Sequence, residues 1–146
     1  MGKAMEKSCG TIPYTIKEKN VYYLLIKAKG NGYCGFPKGH VEKGESETET
    51  ALRETLEETS LEVSIHTEFR YAITYEMANG ISKTVVYYPA SFRDQSPKRY
   101  KDFEDFEYLL LPYDKAYQEL TFEDTKQMLK SANEFLTSSI LKDSLA

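Results

Sequence analysis

The sequence predicts an α/β domain: a mixed β-sheet held between helices that cover both of its faces. Three observations carry this. Short runs rich in valine, tyrosine and isoleucine are punctuated by two stretches of helical periodicity. Two of the runs flank Met77-Ala-Asn-Gly80 and read as one long hairpin. The length, 146 residues, suits a single hydrophobic core. One domain is expected over residues 1–146, with residues 1–7 as a loose leader.

The first predicted strand is Val21–Ala28, closed by the turn Lys29-Gly-Asn-Gly32. Tyr33 to Gly44 carries Gly35, Pro37, Gly39 and Gly44 and reads as a loop with special backbone demands. A helix follows over Ser46–Ser60. Ser46 and Glu49 fit a capping box, and Thr48, Ala51, Leu52, Thr55 and Leu56 recur at helical spacing as its inward face. Leu61–Tyr71 alternates in part and reads as a strand, and Ile81–Phe92 as the strand beyond the hairpin turn. Asp94–Glu107 is a polar loop containing aromatics, and Tyr108–Leu111 a short strand that Pro112 ends. The second helix is Thr121–Leu141. Thr121 and Asp124 suggest a capping box, and Thr125, Met128, Leu129, Ala132 and Leu136 a buried stripe.

Composition narrows the function. Hydrophobic residues make up 40% and charged residues 29%, a globular balance. Apolar runs such as Val21–Ile26 are too short to span a bilayer, and no signal peptide stands out. Cys9 and Cys34 lack metal-ligand spacing and read as free thiols of a reducing compartment, so a cytoplasmic location is expected. A net charge of −4 with no broad basic face argues against a general nucleic-acid binder. Oligomeric state is not written in these features.

The acid is unevenly placed. From Glu42 to Glu62 glutamates far outnumber the two basic residues, Lys43 and Arg53. Within Arg53-Glu-Thr-Leu-Glu-Glu58, Glu54 meets Glu57 at i+3 and Glu58 at i+4 on one helix face. Each like-charge pair costs roughly 0.2–0.5 kcal/mol. The C-terminal half of a helix disfavours anions further. A lone Glu-x-x-Glu-Glu is most often a solvated face. A hard divalent cation would reverse the sign of the repulsion, and clustered carboxylate oxygens suit magnesium or manganese.

The wider segment decides between these readings. Gly39-His-Val-Glu-Lys-Gly-Glu45, seven residues, then Arg53-Glu-Thr-Leu-Glu-Glu-Thr-Ser-Leu61 resembles the Nudix box, a long and correctly gapped pattern. The resemblance implies the Nudix α/β/α sandwich and hydrolysis of a phosphoanhydride bond in a nucleotide. It implies Mg²⁺ or Mn²⁺ held by Glu54, Glu57, Glu58 and the Gly39 carbonyl. Arg53 and Glu45 match residues that brace the loop against the helix. Ser60 stands where the family has glycine, a position that favours positive φ, so a strained turn or a different exit is expected.

Outside the box, Ser8-Cys-Gly10, Phe36 to Glu45, Thr50 to Thr55, Lys83-Thr-Val85 and Glu134-Phe-Leu136 resemble the branch that hydrolyses diadenosine tetraphosphate asymmetrically. That branch implies an adenine held between two aromatics, at positions matching Tyr75 and Phe122. Stacking and core packing are even readings for Phe122. Tyr33 falls where the branch often has a phosphate-contacting histidine. Lys38 and Lys83 are candidate phosphate contacts. Arg53, Glu54 and Glu57 are the expected catalytic residues. Glu57 is favoured as ligand and general base, with Asp102, Glu104 and Asp105 as rivals for the proton. The expected reaction is diadenosine tetraphosphate to ATP and AMP. The alternatives are another Nudix substrate, such as an oxidised nucleoside triphosphate or an RNA 5′-triphosphate end, or a nucleotide sensor without turnover.

Overall fold

The structure is a computed structural model and describes residues 5–98 and 106–141. In chain order the elements are β1 (Met5–Lys17), β2 (Asn20–Ala28), β3 (Cys34–Gly35), β4 (Lys38–His40), α1 (Glu47–Thr59), β5 (Ser64–Ile65), β6 (Tyr71–Glu76), β7 (Ser82–Ser91), β8 (Phe106–Pro112), α2 (Tyr113–Glu119) and α3 (Glu123–Phe135). A π-helical turn, Leu136–Leu141, continues α3.

β1 organises the sheet. Its C-terminal end pairs antiparallel with β2, from Tyr14↔Tyr23 to Lys17↔Asn20. Its other edge runs parallel to β7 from Met5↔Ser82 to Tyr14↔Ser91. Near its start, Ser8–Gly10 also pairs with β4. β2 carries β3 and β8, while β7 carries β6 and β5, all antiparallel. The sheet is therefore mixed, as predicted.

Period-two alternation sends successive side chains to opposite layers. On β7, Val85 and Tyr87 join the core beneath α2 and α3, while Val86 and Tyr88 pack with Ala51 of α1. This is the α/β/α sandwich expected from the sequence. On α3, Met128, Leu129, Ala132 and the following Leu136 are fully buried, as the stripe predicts, with Thr125 half-buried at its start.

The acidic helix packs differently from its expected face. Its buried residues are Thr50, Ala51, Thr55 and Thr59. Leu52 and Leu56 are exposed, a correction to the sequence reading. Small side chains let the helix sit close to the sheet, and the hydroxyls of Thr11 and Thr55 hydrogen-bond at 2.7 Å across the contact. The predicted Ser46 capping box is present.

Other boundaries also move. β1 begins at Met5, within the stretch read as a leader, and has no counterpart in the predicted elements. Leu61–Tyr71 is not one strand. Leu61 is buried against Leu24 and Phe92, only Ser64–Ile65 pairs with β7, and the hairpin strand starts at Tyr71. Pro112 does not simply stop β8. With φ −66° and ψ 165° it is the extended residue before α2, which the sequence reading missed. Thr121 and Asp124 form no capping box. The Thr121 hydroxyl instead accepts a hydrogen bond from the Cys34 amide at 2.7 Å, and Phe122 is the residue before α3. The hairpin turn at Met77–Gly80 is as predicted, with the Met77 amide donating to the Ile81 carbonyl at 2.8 Å. Cys9 and Cys34 are buried free thiols.

Ser60 adopts the left-handed conformation, φ 63° and ψ 14°, and its amide donates to the Leu56 carbonyl at 2.8 Å. The sharp exit is kept and serine bears the strain. Replacing it by glycine relieves a cost of about 1 kcal/mol, partly offset by the greater freedom of glycine in the unfolded chain. Ser60→Gly is therefore expected to raise stability by about 0.5 kcal/mol in urea denaturation, and a destabilised variant would contradict this account of the turn.

Candidate active site

The site begins with a close approach of two backbones. Gly10 on β1 lies against the Pro37 carbonyl, where a β-carbon would collide. This draws Lys38–His40 onto the sheet as β4. Gly39 in turn lies against α1. A β-carbon there would fall on the carboxylate of Glu54. The Lys38 amide donates to Glu58 Oε2 at 3.0 Å. Glu54 and Glu58 thus both meet the same short strand.

Arg53 ties the loop to the helix. Its Nε and Nη2 donate to the two oxygens of Glu45 at 2.7 and 3.0 Å, a bidentate pair. Nη2 also reaches the His40 carbonyl at 3.1 Å. Nη1 donates to Glu54 at 2.8 Å and to Glu57 at 3.3 Å. Glu45 is itself fixed by the Glu42 amide at 3.0 Å and the Thr50 hydroxyl at 2.8 Å. The Arg53 guanidinium, followed by the Glu42 amide, holds the Glu45 carboxyl down to about 2. Glu45, and after it Glu54, raise the already high pKa of Arg53.

This clamp orders the acidic face. Among the described residues no group of three or more carboxylate, imidazole or thiol side chains is arranged to hold a metal ion. The Arg53 guanidinium contacts Glu54 and Glu57, while Glu58 contacts the Lys38 amide. The donor set is nevertheless all oxygen, and the glycine at position 39 leaves the carboxylate of Glu54 room beside the backbone.

A cavity of about 400 Å³ opens beside this face, between β6, β7 and the start of α3. Tyr75 and Phe122 both line it and are 41% and 51% exposed, so neither is a core residue. Ile73, Val85 and Tyr87 supply its apolar floor. Tyr33 meets Phe122 edge to face, with centroids 5.1 Å apart. Lys38 lines the cavity toward the acidic helix. Burial, and then Lys83 nearby, push the Lys38 ammonium below its usual value. Lys83 pairs with Tyr75 across the hairpin. The Lys38 ammonium thus lies near Lys83 and within reach of the Glu58 and Glu54 carboxylates, which offset part of that shift.

Residues 10–132 match the NUDIX domain model. This chain belongs to the Nudix family. The asymmetrical bis(5′-nucleosyl)-tetraphosphatase of Rattus norvegicus is 34% identical over 143 residues, covering 91% of this chain and 97% of that one. The Sus scrofa protein of the same name is also 34% identical, over 90% of this chain and 96% of its own. A Caenorhabditis elegans Ap4A hydrolase in a binary complex superposes with a TM-score of 0.82 at 25% identity, over 91% of this chain and 98% of that one. The NUDIX domain of Shewanella oneidensis NrtR, complexed with ADP ribose, shares the fold with a TM-score of 0.73 at 20% identity. The protein is accordingly a Nudix pyrophosphohydrolase.

The structure brings together most residues singled out from the Nudix sequence pattern. Gly39, Glu45, Arg53, Glu54, Glu57 and Glu58 are gathered at the loop and helix, and Tyr33, Lys38, Tyr75 and Phe122 at the cavity. Asp102, Glu104 and Asp105, the rival bases, lie outside the described residues. The sequence reading named Val85 only within the Lys83-Thr-Val85 motif and missed Tyr87, although the period of two on β7 places both on the same face as Lys83. It also missed Glu47, which takes hydrogen bonds from Arg70 at 2.9 and 2.8 Å and from Tyr88 at 2.6 Å and pairs with Lys7 at 2.5 Å. No local pattern signals that contact, because its partners come from three different strands or their edges.

The depressed Glu45 carboxyl gives a pH prediction. A carboxyl whose pKa falls on folding stabilises above its ordinary value of 4.5, and the contribution fades as pH falls toward about 2. Glu45→Gln is therefore expected to lower the urea midpoint near about pH 6, with the gap to the wild type narrowing by about pH 3. A gap that stays constant across this range would show that the ion pair with Arg53 does not contribute to the Nudix loop.

Proposed function

We propose that this Nudix hydrolase cleaves diadenosine tetraphosphate to ATP and AMP. One observation carries the reading: a cavity lined by Tyr75 and Phe122 adjoins Lys38, which leads directly to the Glu58 end of the acidic helix. A base, a polyphosphate and a set of hard oxygen ligands would then follow one another across the surface. The likeness to asymmetrical bis(5′-nucleosyl)-tetraphosphatases over most of the chain supports the same substrate class.

In this reading Tyr75 and Phe122 stack on the adenine, a contact that contributes about 1–3 kcal/mol per base and tolerates any purine. Lys38 and Lys83 hold phosphate oxygens, whose charge offsets both the burial of Lys38 and its repulsion by Lys83. The Tyr33 hydroxyl can donate one hydrogen bond to the chain of phosphates. Glu54, Glu57, Glu58 and the Gly39 carbonyl would hold magnesium or manganese. Bound there, the ion would supply neutralisation of phosphate charge and a lowered pKa for water. Glu57 is the more exposed of the two carboxylates that Arg53 touches on the helix, and it takes the proton of the attacking water. Arg53 positions Glu54 and Glu57 by hydrogen bonds to both carboxylates.

The reading is tested by incubating the protein with a panel of nucleotides and magnesium and identifying products by chromatography. ATP and AMP from diadenosine tetraphosphate are expected, with turnover abolished by excess EDTA. Glu57→Gln is expected to lower kcat by at least ~10², about 2.7 kcal/mol, without unfolding the protein. Preferential hydrolysis of an oxidised nucleoside triphosphate or an RNA 5′ end would replace the substrate, and undiminished turnover in EDTA would overturn the metal role.

A further inference from the structure

A second cavity, of about 290 Å³, adjoins the first at Tyr33 and Phe122. It sits where β2 ends and β8 begins, at the pair Ala28↔Phe106. The two cavities share Tyr33, Lys38, Tyr87, Phe122 and Thr125. The edge-to-face pair of Tyr33 and Phe122 therefore borders both spaces, with interplanar angle 79°. Beyond this shared wall the second cavity is lined by Ile26, Ala28, Phe36 and Phe106, and it reaches Glu58.

The chemistry of that lining is unexpected beside an acidic helix. Phosphates gain nothing from aliphatic and aromatic walls, and neither does a hydrated cation. Burial pushes the Cys34 thiol of this wall up to about 11, so it too is uncharged near neutrality. An apolar seat next to the carboxylates suits a substrate with a second apolar group beyond its phosphates. A mononucleotide polyphosphate has one base, which the Tyr75 cavity accommodates. A dinucleoside polyphosphate has two, and its second must rest somewhere past Lys38 and Glu58.

We propose that the cavity walled by Phe106, Phe36 and Ile26 seats the second nucleoside of a dinucleoside polyphosphate, with Phe106 its principal stacking surface. The proposal rests on the reading of the site as a dinucleoside polyphosphate hydrolase. It makes this cavity the source of selectivity for two-ended substrates: the first base is held between Tyr75 and Phe122, the phosphates pass Lys38, and the second base lies against Phe106. Phe106 is half-buried and starts β8, so its ring is positioned by the sheet and not by a loop.

The test compares diadenosine tetraphosphate with adenosine 5′-tetraphosphate, which has the same phosphates and one nucleoside. The second compound is followed as substrate, or as competitive inhibitor if its turnover is slow. For Phe106→Ala, KM for the dinucleoside is expected to rise about tenfold more than KM or Ki for the tetraphosphate, within the range of one lost base stack. If Phe106→Ala does not fold, Phe106→Leu keeps the bulk, removes the π-face and is expected to shift the same ratio by at least about threefold. Constants that move together, or do not move, overturn the second seat while leaving the hydrolase reading intact. A wild-type protein that ignores the dinucleoside overturns that reading, and this proposal with it.

Discussion

The contact between the Gly39 backbone and the Glu54 carboxylate sets the geometry of the whole site. It requires two things at once: no side chain at position 39, and a helix close enough to the sheet for its carboxylate to arrive there. The second requirement is met by small residues. Thr50, Ala51, Thr55 and Thr59 form the buried face of the helix, and the Thr11 and Thr55 hydroxyls satisfy one another where they meet. Leucines on that face would hold the helix further out. Leu52 and Leu56 are indeed turned to solvent, so the exposed apolar surface they present is the consequence of a helix selected for close approach.

Charge is the other organising factor. Concentrating glutamates on one helix face is unfavourable, and Arg53 relieves it by touching Glu45, Glu54 and Glu57 together. Because one guanidinium serves both the loop and the helix, the loop's position and the orientation of the carboxylates are not independent. Across the site Lys38 and Lys83 lie near each other. Substrate phosphates would lie between an anionic helix and a cationic cavity edge, an arrangement that orients the chain of phosphates before any chemistry occurs.

The sequence is informative here where function fixes spacing. The Gly39 to Leu61 segment reveals its loop, helix and cap because each depends on residues a few positions apart, and its clamp through the resemblance to the Nudix box. The α3 stripe is legible for the same reason, through its 3.6-residue period. What is not legible depends on distant partners. β1 shows no clean alternation because both its faces are covered, and its sequence mixes Thr11, Ile12, Pro13 and Tyr14, all buried. Thr121 looks like a helix cap but serves Cys34, 87 positions away in sequence. Tyr75 and Phe122 belong to the site by resemblance alone until the fold places them around one cavity. Phe106 carries no local signal at all.

The most direct measurement of the central claim is the behaviour of Gly39→Ala. The atoms a new β-carbon would strike are the outer atoms of the Glu54 side chain, which can swing away without moving backbone. The variant is therefore expected to unfold at nearly the wild-type urea midpoint while kcat with magnesium falls by at least ~10², because the carboxylate is displaced and the fold is not. Wild-type turnover in a folded Gly39→Ala protein would contradict the claim that this contact sets the site.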